Sequence, residues 1–228
     1  MDEAPVNWPG VLEPALLPEG LLSAGHTLAD AADAGNWPAF FDLLDATPAL
    51  SVNQWRPGSP EWLTPLHQAA RLGAELKVVV ALIERGALRS LRDARGWTAC
   101  DVAIEAGQSE ALIALLNPPP SPLSAELVRT LDANLEWAID GSLRSAGILD
   151  GYHDHDLRRA LRYPPVAALH EAPSRSVRFA IPGLPGGFQV TLRCGYLESV
   201  SGVRGSGSSG QTQVITHRGA VLVAEGWA

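Results

Sequence analysis

The chain of 228 residues is poor in several things at once. Lysine occurs once, at Lys77, so arginine supplies the other 16 of 17 basic residues. Against them stand 25 acidic residues, a formal net charge of −8. A field of that sign repels phosphate backbones and anionic membrane surfaces. No basic run and no basic–aromatic interleaving occurs, so neither nucleic acid nor membrane is an expected partner. There are two cysteines, Cys100 and Cys194, far apart and without metal-ligand spacing. That excludes a zinc-site reading and leaves two buried free thiols in a reducing cytoplasm as the expectation. No run of about 18 apolar residues is present, as a spanning helix would need. The start, MDEAPVNWPG, lacks the cationic and apolar regions of a secretory signal, so the expected location is cytoplasmic. The bias toward Ala, Leu, Gly, Pro and Arg suits a GC-rich bacterial genome.

What the chain does have is a repeated phrase. TPLHQAARLG (residues 64–73) returns as TACDVAIEAG (98–107), 34 residues later, with Thr64 on Thr98, Ala69 on Ala103 and Gly73 on Gly107. A more degenerate copy, HTLADAADAG (26–35), lies 38 residues upstream. Each copy is followed by an apolar segment of helix length: NWPAFFDLLDATPAL, ELKVVVALIERGA and QSEALIALLN. Pro65 suits the opening turn of a helix, the alanines allow close helix approach, and the glycines break the chain between paired helices. A period near 33 with T-P-L-H-x-A resembles the ankyrin-repeat family. The resemblance covers residues 24–117. It implies about three helix-pair repeats stacked as an α-solenoid, with binding of a protein partner on the concave face. It also implies that His67 makes hydrogen bonds that hold its turn. Three repeats need caps at both ends. WPGVLEPALLPEGLL (8–22) is expected to cap the first.

The segment joining the first two copies, SVNQWRPGSPEWL (51–63), carries Trp55, Arg56 and Trp62, and Trp97 precedes the third copy. Trp and Arg dominate binding hot spots, which makes these four the candidate binding residues. The alternative is that the tryptophans pack on one another or on the second module.

NPPPSPLS (117–124) marks a boundary, because Pro118–Pro120 cannot continue a helix. The expected division is residues 1–117 and 123–228. The second part opens on one amphipathic helix capped by Ser124 or Ser121. Its stripe of Leu127, Leu131, Leu135, Ala138 and Ile139 covers either the last repeat or a following sheet. Five strands are predicted at 176–181, 187–193, 196–201, 212–217 and 220–224, forming a small antiparallel meander. Alternation puts Val177, Phe179, Ile181, Phe188, Val190 and Leu192 on one face and Arg178, Gln189, Thr191 and Arg193 on the other. The expected class is therefore α+β. LRYPPV, IPGLPGGF and GSGSSGQ in this part are similar to the C-terminal module of uncharacterised bacterial ankyrin-repeat proteins, which implies architecture only.

Chemistry is thinly marked. DGYHDHDLRR (150–159) brings His153, Asp154 and His155 together, and a polar loop with Asp156 capping a helix accounts for it better than a metal would. His170 beside Glu171 has acid–base chemistry, but neighbours on an extended chain point apart. Glu198 and His217 come from different strands that could meet. No G-x-S-x-G, phosphate loop or H-E-x-x-H is present, and no metal or cofactor is expected. Two functions follow. One is a non-enzymatic binding protein of regulator or immunity type. The other is a biosynthetic enzyme or binder of a hydrophobic small molecule, for instance a cyclase on a polyketide-like substrate, with its pocket where the two modules meet.

Overall fold

The computed structural model describes residues 4–147, 157, 159–182, 184–202 and 210–225. The chain divides into two compact units. One is Val11–Pro120; the other joins Met1–Gly10 to Ser121–Ala228.

The first unit is helical. It holds α1 (Glu19–Asp33), α2 (Trp37–Ala46), α3 (Pro65–Leu72), α4 (Leu76–Glu84), α5 (Ala99–Glu105) and α6 (Glu110–Leu116). A 3-10 turn at Pro14–Leu16 precedes them. Consecutive helices pack as pairs, α1 on α2, α3 on α4 and α5 on α6. Across pairs, α1 meets α3, α3 meets α5, and α4 meets α6. The small residues explain the close approach: Ala69, Ala70 and Ala103 are fully buried. Around them Leu28, Phe40, Leu66, Val79, Leu82, Leu112 and Leu116 form one core. Gly35, Gly73 and Gly107 end the first helix of each pair with φ of 67°, 63° and 63°, a conformation that costs glycine nothing.

The second unit is a sheet with helices. β1 (Val6–Asn7), β2 (Ser176–Ile181), β3 (Leu184–Leu192), β4 (Leu197–Ser201), β5 (Gln211–Thr216) and β6 (Gly219–Glu225) lie in sequence order. β2 to β6 pair antiparallel, as a meander. β1 pairs parallel with β2, which makes the sheet mixed rather than purely antiparallel. With the helical unit, the chain is α+β. The division also splits the expected cap: Trp8–Gly10 go with the sheet, and the chain from Val11 on with the helices.

Alternation holds on β2 and β3. Val177, Phe179, Ile181, Phe188, Val190 and Leu192 are buried, while Arg178 and Gln189 are exposed. α7 (Ala125–Ser145) starts on Ser124, whose hydroxyl accepts the Leu127 N–H at 3.2 Å. Of its predicted stripe Leu131, Leu135, Ala138 and Ile139 are buried and Leu127 is half-buried, Leu143 extends the buried face, and the helix packs on β4, β5 and β6. Asn134 donates to the Thr216 carbonyl at 2.7 Å, fixing helix to sheet. A short helix, α8 (Val166–Glu171), packs on β3 and α7.

One predicted strand starts several residues before its expected position, for a physical reason. β3 begins at Leu184, where the sequence suggested 187, because the Gly-Gly pair forms a bulge instead of a turn. Phe179 pairs with Phe188 and Ile181 with Leu184, so residues 185–187 oppose Ala180 alone. Gly187 has φ of 63°, and a Cβ there would overlap the Phe179 carbonyl. Cys100 is buried as expected, and burial pushes its thiol above the ordinary range. Cys194 is exposed, in the tight turn between β3 and β4.

Candidate functional site

The helical unit carries the candidate site. It is assembled from α1, α3 and the two connections that precede α3 and α5. Both connections are held by hydrogen bonds rather than by regular structure.

The start of α3 shows how. Thr64 Oγ1 accepts the His67 N–H at 3.4 Å, and His67 Nδ1 accepts the Thr64 N–H at 3.3 Å. This reciprocal pair is a capping box with histidine in the place usually held by Glu or Gln. The other ring nitrogen, Nε2, lies 3.0 Å from the Trp97 carbonyl in the next connection. The set fits the tautomer with its proton on Nε2, which donates to Trp97 while Nδ1 accepts. His67 is 1% exposed, and its ring ties two loops together. The backbone adds a second tie, Ala94 N–H to the Glu61 carbonyl at 2.9 Å.

Asp93 organises the second loop. Its Oδ1 accepts the Arg95 and Trp97 N–H groups at 2.8 and 2.9 Å. Its Oδ2 takes Arg95 Nε and Nη2 at 3.0 and 2.9 Å. Burial pushes this carboxyl up, but the N–H donors from Trp97 and Arg95 and the guanidinium charge outweigh it and hold it below the ordinary range. The Asp93 side chain is 2% exposed and that of Arg95 56%. Arg95 is therefore anchored at one edge and open at the other. Its guanidinium also lies 4.0 Å from the centre of the Trp97 ring, a cation–π contact.

On α1, Asp30 and Asp33 hold Arg56 Nη2 at 2.6 and 3.0 Å. The Asp30 hydrogen bond is the larger cause that keeps this guanidinium more firmly protonated than usual. Arg71 on α3 faces Asp33 at 3.6 Å and donates to Gln68 at 2.9 Å. Between these groups runs an open groove of about 600 Å³, lined by charged Asp33, Glu61, Arg71, Asp93 and Arg95 and by Pro60, Leu63, Gln68 and Ala94.

The candidates from sequence fall unequally on this site. Arg56 borders it through Asp33. Trp97 lies under Arg95 and is half-buried. Trp62 is half-buried beside Glu61 and Leu63, with φ of 57°, rare for a bulky residue. Trp55 is 1% exposed and belongs to the packed interior, so it offers no area to a partner. In the sheet unit, Glu198 is engaged by Arg193 at 2.7 Å. The ladder pairs it with Val214, three residues before His217, which sits exposed in the β5–β6 turn. His170 is on α8, half-buried. His153, Asp154 and His155 lie outside the described residues. Among the described residues, no group of three His, Cys, Asp or Glu could hold a metal. No helix among them is long and apolar enough to cross a membrane.

Sequence reasoning passed over Asp93, Arg95, Glu61 and Arg71. The signal for two of them was available: an Asp two residues before an Arg, then Gly96 and the Thr98 cap, is the composition of an Asx turn leading into a helix.

The sequence model of the Ankyrin repeat family matches residues 61–94, which span the Glu61 connection, α3, α4 and the loop to Asp93. A search of curated proteins finds no match to the chain. Residues 61–94 of this chain thus carry an ankyrin repeat, a unit generally associated with protein–protein interaction.

Proposed function

We propose that the chain is a binding protein whose helical unit grips an extended segment of a partner protein in the groove beside Asp93 and Arg95. The reading takes the three helix pairs as three ankyrin repeats stacked as a solenoid, with the groove on the concave face. The first and third extend the matched repeat through their shared glycine breaks, and the third also through its Thr98–Asp101 capping box.

The observation that carries the reading is the fixed state of the groove before any partner arrives. Arg95 is clamped by a buried carboxylate and stacked on Trp97, yet half of it stays open. A side chain held in one geometry loses little conformational freedom on binding. The groove also mixes signs, with Arg71 and Arg95 among Asp33 and Glu61. Such a lining suits a peptide bearing an acid toward the arginines and a base toward Glu61.

The test is selection of extended peptides from a display library on the full chain, followed by calorimetry. Peptides so found should lose at least 10-fold in affinity against Arg95→Ala and against Glu61→Ala. Affinities indifferent to both substitutions would sink the proposal. Trp62→Gly separates binding from folding. It relieves the positive φ at the loss of half-buried ring area, so stability should change by less than about 1 kcal/mol. Peptide affinity should fall if the ring faces the partner.

A further inference from the structure

The segment Val6–Gly10 is held in the sheet unit as a bound peptide is held. On one side it is a strand: Val6 pairs with Val177, Asn7 with Arg178, and the Trp8 N–H donates to the Arg178 carbonyl at 2.8 Å. On the other side it meets a second backbone. Trp8 Nε1 donates to the Arg162 carbonyl at 2.6 Å, and the Arg162 N–H donates to the Gly10 carbonyl at 2.7 Å. Trp8 is 4% exposed. Position 10 admits only glycine, since a Cβ there would overlap the Arg162 carbonyl and the Trp8 ring. Backbone pairing supplies affinity, and the tryptophan and the glycine supply selectivity.

The segment is also short. Its strand covers two residues, and the chain then passes directly into the helical unit, where Leu12 accepts the Gly58 N–H at 2.9 Å.

We propose that this slot between the β2 edge and the Leu161–Tyr163 backbone is a binding site for an extended Val-Asn-Trp-Pro-Gly segment, filled here in cis, and that a second copy of this chain fills it by exchanging the same segment. Every contact made in cis is available unchanged in trans, so exchange sacrifices none of them. The balance between the two is set by protein concentration. The inference stands apart from the groove of the helical unit and does not rest on the reading of that groove.

Three measurements test it. Hydrogen exchange on the intact wild-type chain should show the Trp8 amide exchanging at least 10-fold faster than amides of β3 and β4. Equal protection would mean that the segment opens only with the whole sheet, and the proposal fails. A labelled peptide of residues 4–12 should bind the full-length Trp8→Ala variant at least 10-fold tighter than wild type. A peptide with alanine at position 8 should bind neither. No peptide binding by a Trp8→Ala chain of unchanged circular dichroism overturns the slot. Two differently tagged wild-type copies, mixed at millimolar concentration, should form a mixed dimer that excess peptide dissolves. A chain that stays monomeric there overturns the exchange.

Discussion

Helices α3 and α5 of the helical unit and α8 of the sheet unit begin by different means. In the helical unit, α3 and α5 start on four consecutive residues, Thr64 to His67 and Thr98 to Asp101, in which the first and fourth side chains satisfy each other's backbone N–H. In the sheet unit, α8 starts after Pro165 with no cap of its own. Its first N–H, from Val166, is taken by Asp132 on α7, 34 residues earlier, at 2.7 Å. The same physical need, an acceptor for an orphan donor, is met locally at α3 and α5, as it is by Ser124 at α7, and by tertiary packing at α8. The electrostatics diverge accordingly. Asp101 is exposed, and the Thr98 N–H holds its carboxyl below the ordinary range. Asp132 is half-buried, and loss of water pushes it up to about 6 in spite of the Val166 N–H, with Glu136 adding to the shift.

His67 is the sharpest point at which to break the comparison, because it is a local cap that also spans two loops. His67→Ala removes both roles and leaves the Trp97 carbonyl without this partner. The helical unit should lose about 3 kcal/mol in urea unfolding, and the peptide binding proposed for the groove should be lost with it. His67→Asn can still accept the Thr64 N–H, as Asp101 does at its own cap, but is too short to reach Trp97. It should recover about 1 kcal/mol of that loss. Equal stability of the two variants would mean that the link to Trp97 contributes nothing.

The pH dependence of the two carboxylates should have opposite signs. A folded-state value of about 6 for Asp132 lies above that of an unfolded aspartate. The fold then favours the protonated form. That contribution is complete below about pH 4 and is lost as pH rises through about 6, amounting to about 1–2 kcal/mol for a half-buried group. Asp132→Asn keeps the acceptor and should remove the slope. Thermal melts of wild type and variant, compared between pH 4 and 7, check it, and parallel curves would refute it.

The smallest effect belongs to the purely local cap. Thr98→Ala should cost about 1 kcal/mol. Asp101, with its lowered value, contributes stability above about pH 4 that is lost as pH falls through its folded value. In acid the Asp101→Asn variant should therefore lose less stability than wild type. A variant that tracks wild type down to pH 2.5 would show that the charge on this cap is idle.

What could be read directly from the residues was whatever sits within a few positions of its own cause. The helix pairs follow from Thr and Pro at the helix start, alanines on one side and a glycine at the break. The alternation of β2 and β3 follows from a period of two over residues 176–192. The role of His67 in its turn came from the resemblance to the ankyrin repeat, and the bonds to Thr64 agree with it. The glycines of β3 were misleading because a Gly-Gly pair serves a turn or a bulge equally well, and pairing with β2 decided between them. Trp55 and Trp62 looked alike as binding residues. Packing buried one and left the other half-open at a strained φ.

The sequence by itself determined the elements, their caps and the apolar face of each, because propensity, hydrogen bonding at helix ends and side-chain period act over one to four residues. Tertiary structure alone decided that Val6–Asn7 would pair with β2, that Asp132 would serve Val166, and that Asp93 would be buried under Arg95 at the edge of a groove. Each of these joins groups whose meeting depends on how whole elements pack. Burial, which sets both the charge of Asp132 and the fixed pose of Arg95, is a property of the surroundings that no short stretch of sequence contains.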